Sequence, residues 1–183
     1  VTGSGPDKAL SPTELKRLHR GWRRQTSLRL AVILDGVQKP FNVGSLLRSA
    51  AAYQVESVWT VPPAPPIDHP AVAKTALGSD RFIQWRAASS GPEAVEAARA
   101  EGFVTVAVEL TAKARPLHEL QPGSAVCLVL GHEDRGVHRE TLQAVDHVAY
   151  LPQLGKIGSL NVAHAGTVAL YELARQAWTS PTP

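Results

Sequence analysis

Apolar and polar positions along the chain follow two alternating periods. "LRLAVIL" (28–34), "SVWTV" (57–61), "RFIQW" (81–85), "FVTVAVEL" (103–110), "AVCLVLG" (125–131) and "HVAYLP" (147–152) are short runs rich in apolar and β-branched residues. Near-continuous runs of that kind are expected of strands in a parallel sheet covered on both faces. Between them, "NVGSLLRSAAAYQ" (42–54), "AVAKTAL" (71–77) and "EAVEAARAE" (93–101) read as helices, and a long helix runs from Leu160 to about Trp178. The segment "PPAPPIDHP" (62–70) fits neither period, because proline breaks both ladders. The alternation predicts an α/β fold with a largely parallel sheet and helices on both faces.

Upstream of this pattern, Ser11-Pro12-Thr13-Glu14 reads as a helix start, with serine as cap, proline at the first position and glutamate at the third. Leu15, Leu18 and Trp22 would share one face of that helix. The first ten and last four residues show no pattern and are expected to be disordered. The chain therefore divides into a disordered 1–10, a helix within 11–27 and one domain over 28–179.

Composition narrows the class. A hydrophobic fraction of 44% and a charged fraction of 19% over 183 residues suit one soluble domain. No apolar run approaches the ~18 residues of a membrane span, and the N-terminus lacks the apolar stretch of a secretory leader. The single Cys127 excludes an internal disulfide and, sitting in "AVCLVL", is expected to be a small buried hydrophobe, which fits a reducing, cytoplasmic setting. Net charge is only +3, but Lys16, Arg17, Arg20, Arg23, Arg24 and Arg29 fall within 15–34 with no acid among them. A basic arm on a mildly acidic body points to a polyanionic partner, with a solvated helix face as the alternative.

Ligands of open α/β sheets bind in the loops after the carboxyl ends of strands, so those loops carry the chemistry. No phosphate loop, dinucleotide glycine fingerprint or nucleophile elbow is present. The 7 histidines show no metal spacing, so no metal is expected. Three stretches remain. "PFNVGSLLRSAAA" offers Asn42 as a helix cap, Gly44 for close backbone approach and Arg48 nearly two turns on. "LVLGHEDRGV" brackets Glu133 between Gly131 and Gly136. "LPQLGKIGSLNV" bends through Pro152, Gly155 and Gly158 before Ser159, Leu160 and Asn161 at the mouth of the last helix.

In this order and spacing the three stretches resemble the motifs of the SPOUT superfamily of RNA methyltransferases, in its TrmH/SpoU branch, over residues 28–178. The resemblance implies a C-terminal deep trefoil knot whose loops hold S-adenosylmethionine, with Leu130, Gly131, Leu151, Gly155 and Leu160 around it. Leu151 and Leu160 would sandwich the adenine, and Gly155 and Gly158 would admit crossing backbones that leave no room for a Cβ. It also implies a homodimer in which the last helix and the first-motif helix pack across a two-fold axis.

By the same resemblance Arg48, Asn42, Glu133, Ser159 and Asn161 form the catalytic group for methylation of a ribose 2′-hydroxyl. Arg48 is the residue implied to activate that hydroxyl. A guanidinium holds its proton to a pKa above ~12 and accepts no hydrogen bond, so a bidentate clamp on a neighbouring phosphate is the easier role, and the proton acceptor stays open. Asn42 would orient Arg48 or cap its helix, Glu133 would fix Arg48 and its own loop, and Ser159 would bond ligand or cap the last helix. His132 and His164 depart from the commoner family residues and read as structural. The basic arm, Lys16, Arg17, Arg20, Arg23 and Arg24, would bind RNA. Its direct run into the first strand resembles the enzymes that methylate a guanosine in the tRNA D-loop. Those enzymes have a C-terminal helical extension, absent after Trp178 here. Ribosomal RNA is the alternative substrate, and a non-catalytic RNA-binding module the alternative class.

Overall fold

Strands β1 (Arg29–Asp35) and β6 (Ala125–Gly131) lie side by side at the centre of the sheet, and no residue after the first in either strand is exposed. Such two-sided burial is what their near-continuous apolar sequences predicted. The computed structural model describes residues 8–179. The expected disorder of 1–7 and 180–183 lies outside the described residues, and residues 8–10 carry no regular structure.

The sheet continues through β2 (Val55–Val61), β3 (Gln84–Ala87), β4 (Val104–Val108), β5 (Arg115–Pro116) and β7 (His147–Tyr150). Its order is β3-β2-β1-β6-β4-β7-β5, and these strands pair with one another in parallel throughout. Around it lie α1 (Pro12–Arg23), α2 (Pro40–Ala52), α3 (Pro70–Ala76), α4 (Gly91–Ala100), α5 (Arg139–Ala144) and α6 (Val162–Thr179). The period-2 alternation of β1 splits the core. Leu30, Val32 and Leu34 pack with Val43, Leu46, Leu47, Leu170 and Leu173 under α2 and α6, whereas Ala31 and Ile33 join Trp59, Ala94, Val95 and Phe103 under α4.

Several boundaries differ from the sequence reading. Residues 81–82 belong to a 3₁₀ turn (Ser79–Phe82), so β3 begins at Gln84. Two elements had no readable period: β5 is two residues long and α5 six. The first-motif helix starts at Pro40, which occupies its first turn, so Asn42 lies inside the helix and does not cap it. The last helix starts at Val162, not Leu160.

Helix α1 forms as expected, with a complete capping box: Glu14 N donates to Ser11 Oγ at 3.4 Å and Ser11 N to Glu14 Oε2 at 2.8 Å. None of its residues is buried, and its apolar face meets the body through Trp22, 5.2 Å from the Trp178 ring. Gly44 does permit close approach, of α3: a Cβ there would sit 2.7 Å from the Val72 carbonyl oxygen. Among the described residues no helix is long and apolar enough to cross a membrane, and no cluster of three metal-binding side chains occurs.

Candidate functional site: three loops around one cavity

At the carboxyl end of the sheet, the loops after β4, β6 and β7 and the start of α6 enclose a cavity of about 350 Å³. Leu130, Leu151, Leu160 and Val162 supply apolar wall, and Glu109, Glu133, Gln153 and Ser159 supply polar groups. Gln153 Oε1 is buried there without a hydrogen-bond partner, an acceptor aimed at nothing the protein itself provides.

The loop after β6 is a tight turn. His132 and Gly136 exchange backbone hydrogen bonds, each 2.9 Å, and a Cβ on Gly131 would overlap the Gly136 carbonyl carbon and the Val137 nitrogen. The backbone crowding that was expected at Gly155 and Gly158 is therefore found at Gly131. Gly155 and Gly158 have nothing within 4 Å of a Cβ position; Gly158 lines the cavity and Gly155 does not. Both glycines lie on an exposed stretch of chain, so their sequence position beside the bend misled.

Glu133, raised by this turn, reaches the start of α2. Its Oε1 accepts from Lys39 N at 3.0 Å and Asn42 Nδ2 at 2.8 Å, and its Oε2 from Gln38 N at 3.1 Å. Partial burial pushes its carboxyl upward, but the bonds from Asn42 and the loop backbone outweigh this and hold it below the usual carboxylate range. The carboxylate thus satisfies backbone donors that α2, lacking a capping side chain, leaves open. On the other side, Asn42 Oδ1 accepts from Asn161 Nδ2 at 3.1 Å, and Asn161 Oδ1 accepts from Ala163 N at 2.9 Å and His164 N at 3.4 Å. One continuous run, Glu133–Asn42–Asn161, joins the three sequence stretches.

Three expectations are corrected. Glu133 fixes the start of α2 and makes no contact with Arg48. Asn161, not Ser159, caps α6; Ser159 is exposed on the cavity rim. Asn42 does not orient Arg48, because six helical residues turn the two side chains roughly 120° apart and separate them by ~9 Å. Arg48 is exposed, forms no hydrogen bond or ion pair among the described residues, and lines a separate groove with Phe41, Tyr53 and Lys74.

His132, expected to be structural, has both ring nitrogens engaged by its own chain and also lines the cavity. Its Nδ1 accepts from Asp134 N at 3.0 Å, so Nε2 bears the proton and donates to Gln38 Oε1 at 3.3 Å. The side chains of Gln38, Glu109 and Gln153 had no signal in the sequence, being ordinary polar residues in loops or at strand ends. Asp35, wholly buried at the end of β1, also escaped notice; it accepts from His138 N and from His138 Nδ1, both at 2.9 Å.

Comparison with known proteins agrees with this geometry. The chain is 31% identical over 154 residues to the tRNA (guanosine(18)-2′-O)-methyltransferase of Escherichia coli K12, covering 84% of this chain and 66% of that one. It is 32% identical over 153 residues to a 23S rRNA (guanosine-2′-O-)-methyltransferase of Pseudomonas aeruginosa, covering 84% and 61%. The SpoU methyltransferase AviRb from Streptomyces viridochromogenes, solved in complex with AdoMet, superposes with a TM-score of 0.75 at 27% identity over 84% of this chain and 59% of that one. The chain thus spans 66%, 61% and 59% of the length of these three proteins. The model of the SpoU rRNA methylase family matches residues 29–171. The chain belongs to the SpoU rRNA methylase family.

Proposed function

We propose that the protein transfers a methyl group from S-adenosylmethionine to a ribose 2′-oxygen of RNA. The observation that carries this is the Glu133–Asn42–Asn161 run, which locks three loops together beside a cavity of about 350 Å³, within the range of small-molecule sites (~300–1,000 Å³). The cavity fits the cofactor: flat apolar wall from Leu130, Leu151 and Leu160, backbone at Gly131, and the unpartnered Gln153 Oε1 for a ligand N–H or O–H. Gly155, open to solvent, has no part in that wall. When bound there, S-adenosylmethionine would supply an already activated methyl, whose transfer to the ribose oxygen would leave the neutral-sulfur product, with the hydroxyl proton passing to solvent water.

Positioning of the acceptor falls to this chain. Arg48 clamps a phosphate next to the target ribose. Since it lies outside the cavity of its own chain, the RNA reaches it along α2, or it serves the cavity of a second protomer. A homodimer through α2 and α6 would cover Phe41, Val168 and Tyr171, which are 68%, 48% and 49% exposed. Asn42, Glu133 and Asn161 hold the loops in register, and Ser159 faces the ligand. The last part of the chain is read as threaded through a preceding loop, which makes a C-terminal trefoil knot. Cys127, buried with its thiol pushed up by desolvation, stays unreactive in a cytoplasmic setting.

The preferred substrate is tRNA at a D-loop guanosine, with Lys16, Arg17, Arg20, Arg23 and Arg24 of α1 steering the RNA. Ribosomal RNA is the second reading, supported by a relative of similar identity, 32% against 31%. Incubating the protein with S-adenosylmethionine and either tRNA or 23S rRNA transcripts, then mapping methylated nucleosides by mass spectrometry, decides between them. Leu160→Asp places an unpaired charge in the cavity and should weaken cofactor binding by several kcal/mol in calorimetry. Unchanged affinity would place the cofactor elsewhere.

A further inference from the structure

The charged groups lining the cavity are Glu109, Glu133, Asp134 and Arg135, and they are not equivalent. Glu133 is engaged by three donors from the start of α2. Asp134 and Arg135 are exposed neighbours of opposite sign on the rim. Glu109 is different. It stands half-buried just past β4, with Oε2 accepting from Val137 N at 3.0 Å and Oε1 from Leu110 N at 2.9 Å, and no cation pairs with it among the described residues.

The fold holds this carboxylate against the cavity wall. Gly136 has φ +70°, a conformation that favours glycine, and a Cβ there would overlap Glu109 Oε2. Any larger residue at 136 would drive the carboxylate off the turn. Each Glu109 oxygen accepts one backbone N–H and has a second lone pair free. With the buried Gln153 Oε1, the cavity inside its rim presents acceptors and two carboxylates without a cation partner among the described residues, of which Glu133 is turned to the start of α2 and Glu109 is not.

The methyl donor and its demethylated product are alike in adenine, ribose and amino-acid tail. They differ in one methyl group and in the positive charge on sulfur. We propose that Glu109 is a specificity-determining residue that makes the cavity favour the charged donor over the neutral-sulfur product. The inference rests on the reading of this cavity as the S-adenosylmethionine site. Glu109 lines this cavity of about 350 Å³, so a positive charge bound there is attracted to its carboxylate, and partial burial leaves the attraction poorly screened. Methyl transfer cancels that attraction, so the same residue that helps load the donor lets the product go.

The test is calorimetric titration of S-adenosylmethionine and S-adenosylhomocysteine into the unmodified protein and into Glu109→Gln. Glutamine keeps the size and one acceptor oxygen for Val137 N–H but removes the charge. Donor affinity should fall about tenfold, the scale of one charge-assisted contact, while product affinity stays within about twofold. Glu109→Thr serves as a second neutral variant should glutamine disturb the turn, and retained product binding shows in either case that the cavity is intact. Equal losses for both ligands would make Glu109 only a loop anchor and overturn the inference, as would an unchanged donor affinity. Failure of both ligands to bind the unmodified protein would overturn the cavity reading and this inference with it.

Discussion

The side-chain amide of Asn161 donates to the side-chain oxygen of Asn42 at 3.1 Å, across 119 residues of chain. The direction of this bond is fixed from both ends. Glu133 can only accept, so Asn42 must turn its NH₂ toward it; the α6 backbone N–H groups can only donate, so Asn161 must turn its oxygen to them. Each asparagine therefore has one orientation that satisfies all its partners. An aspartate at either place would break the run at a fixed point.

Asn161→Ala should remove the α6 cap, at about 1 kcal/mol, and leave the buried Asn42 oxygen without its donor, at about 1–3 kcal/mol. In a domain of this size that corresponds to a melting temperature lower by roughly 5–10 °C. Asn161→Asp keeps the cap and should recover only part of the loss. Thermal denaturation of the two variants checks both statements.

Much of this was legible before the structure. The runs that became β1 and β6 were legible because burial on both faces leaves a pattern that sequence preserves, whereas β3, with no buried residue, was expected from Arg81 and begins at Gln84. The capping box at Ser11 and Glu14 was legible because it is a local, short-range code. The roles within the site were not. Asn161 as cap, Glu133 as the group satisfying the start of α2, and the separation of Arg48 from Asn42 all depend on which loop lands on which helix. Glycine misled for the same reason: Gly131 and Gly155 look alike in sequence, and only packing makes one indispensable and leaves the other in open space.

That contrast is measurable. Gly131→Ala forces a Cβ into the backbone of Gly136 and Val137 and should cost at least about 1–3 kcal/mol along with cofactor binding. Gly155→Ala, with nothing within 4 Å, should change stability by less than about 0.5 kcal/mol. Denaturant titrations of the two variants should differ accordingly.

Acid should unfold the protein in part through Asp146. Burial pushes its carboxyl up, but bonds from Arg99 (2.8 Å) and from the Thr105 hydroxyl (2.6 Å) and backbone N–H (2.8 Å) win and lower it from 3.8 to about 2. The folded value lies below the unfolded one, so this stabilisation is complete above pH 3.8 and is lost as pH falls through about 2. Discounted for a side chain 33% exposed, it amounts to about 1–2 kcal/mol. Asp146→Asn should be less stable by that amount at neutral pH and should show a shallower loss between pH 4 and 2. Parallel curves for the two proteins would remove Asp146 from the account.

Helix α1 buries none of its residues, so it can be removed with little harm to the core. Deleting residues 1–25 removes five of the six cations in 15–34. Every phosphate that the shortened protein no longer neutralises should flatten the plot of log K against log salt by roughly 0.7–0.9, so the slope for RNA binding should fall by several units at most. Cofactor affinity should not change. An equally steep slope after deletion would make the arm a solvated helix and nothing more.

The central claim is methyl transfer to a ribose oxygen, and the most direct measurement supplies S-adenosylmethionine with an isotopically labelled methyl group. After incubation with tRNA and, separately, ribosomal RNA, the digested nucleosides are identified by mass spectrometry. The account predicts label in a 2′-O-methylated nucleoside, lost in Arg48→Ala and nearly lost in Arg48→Lys, because an ammonium offers no planar fork to a phosphate. Both variants should still bind the cofactor, since Arg48 lies outside the cavity. Label on a base, or no label in any RNA from a protein that binds the donor, would contradict it.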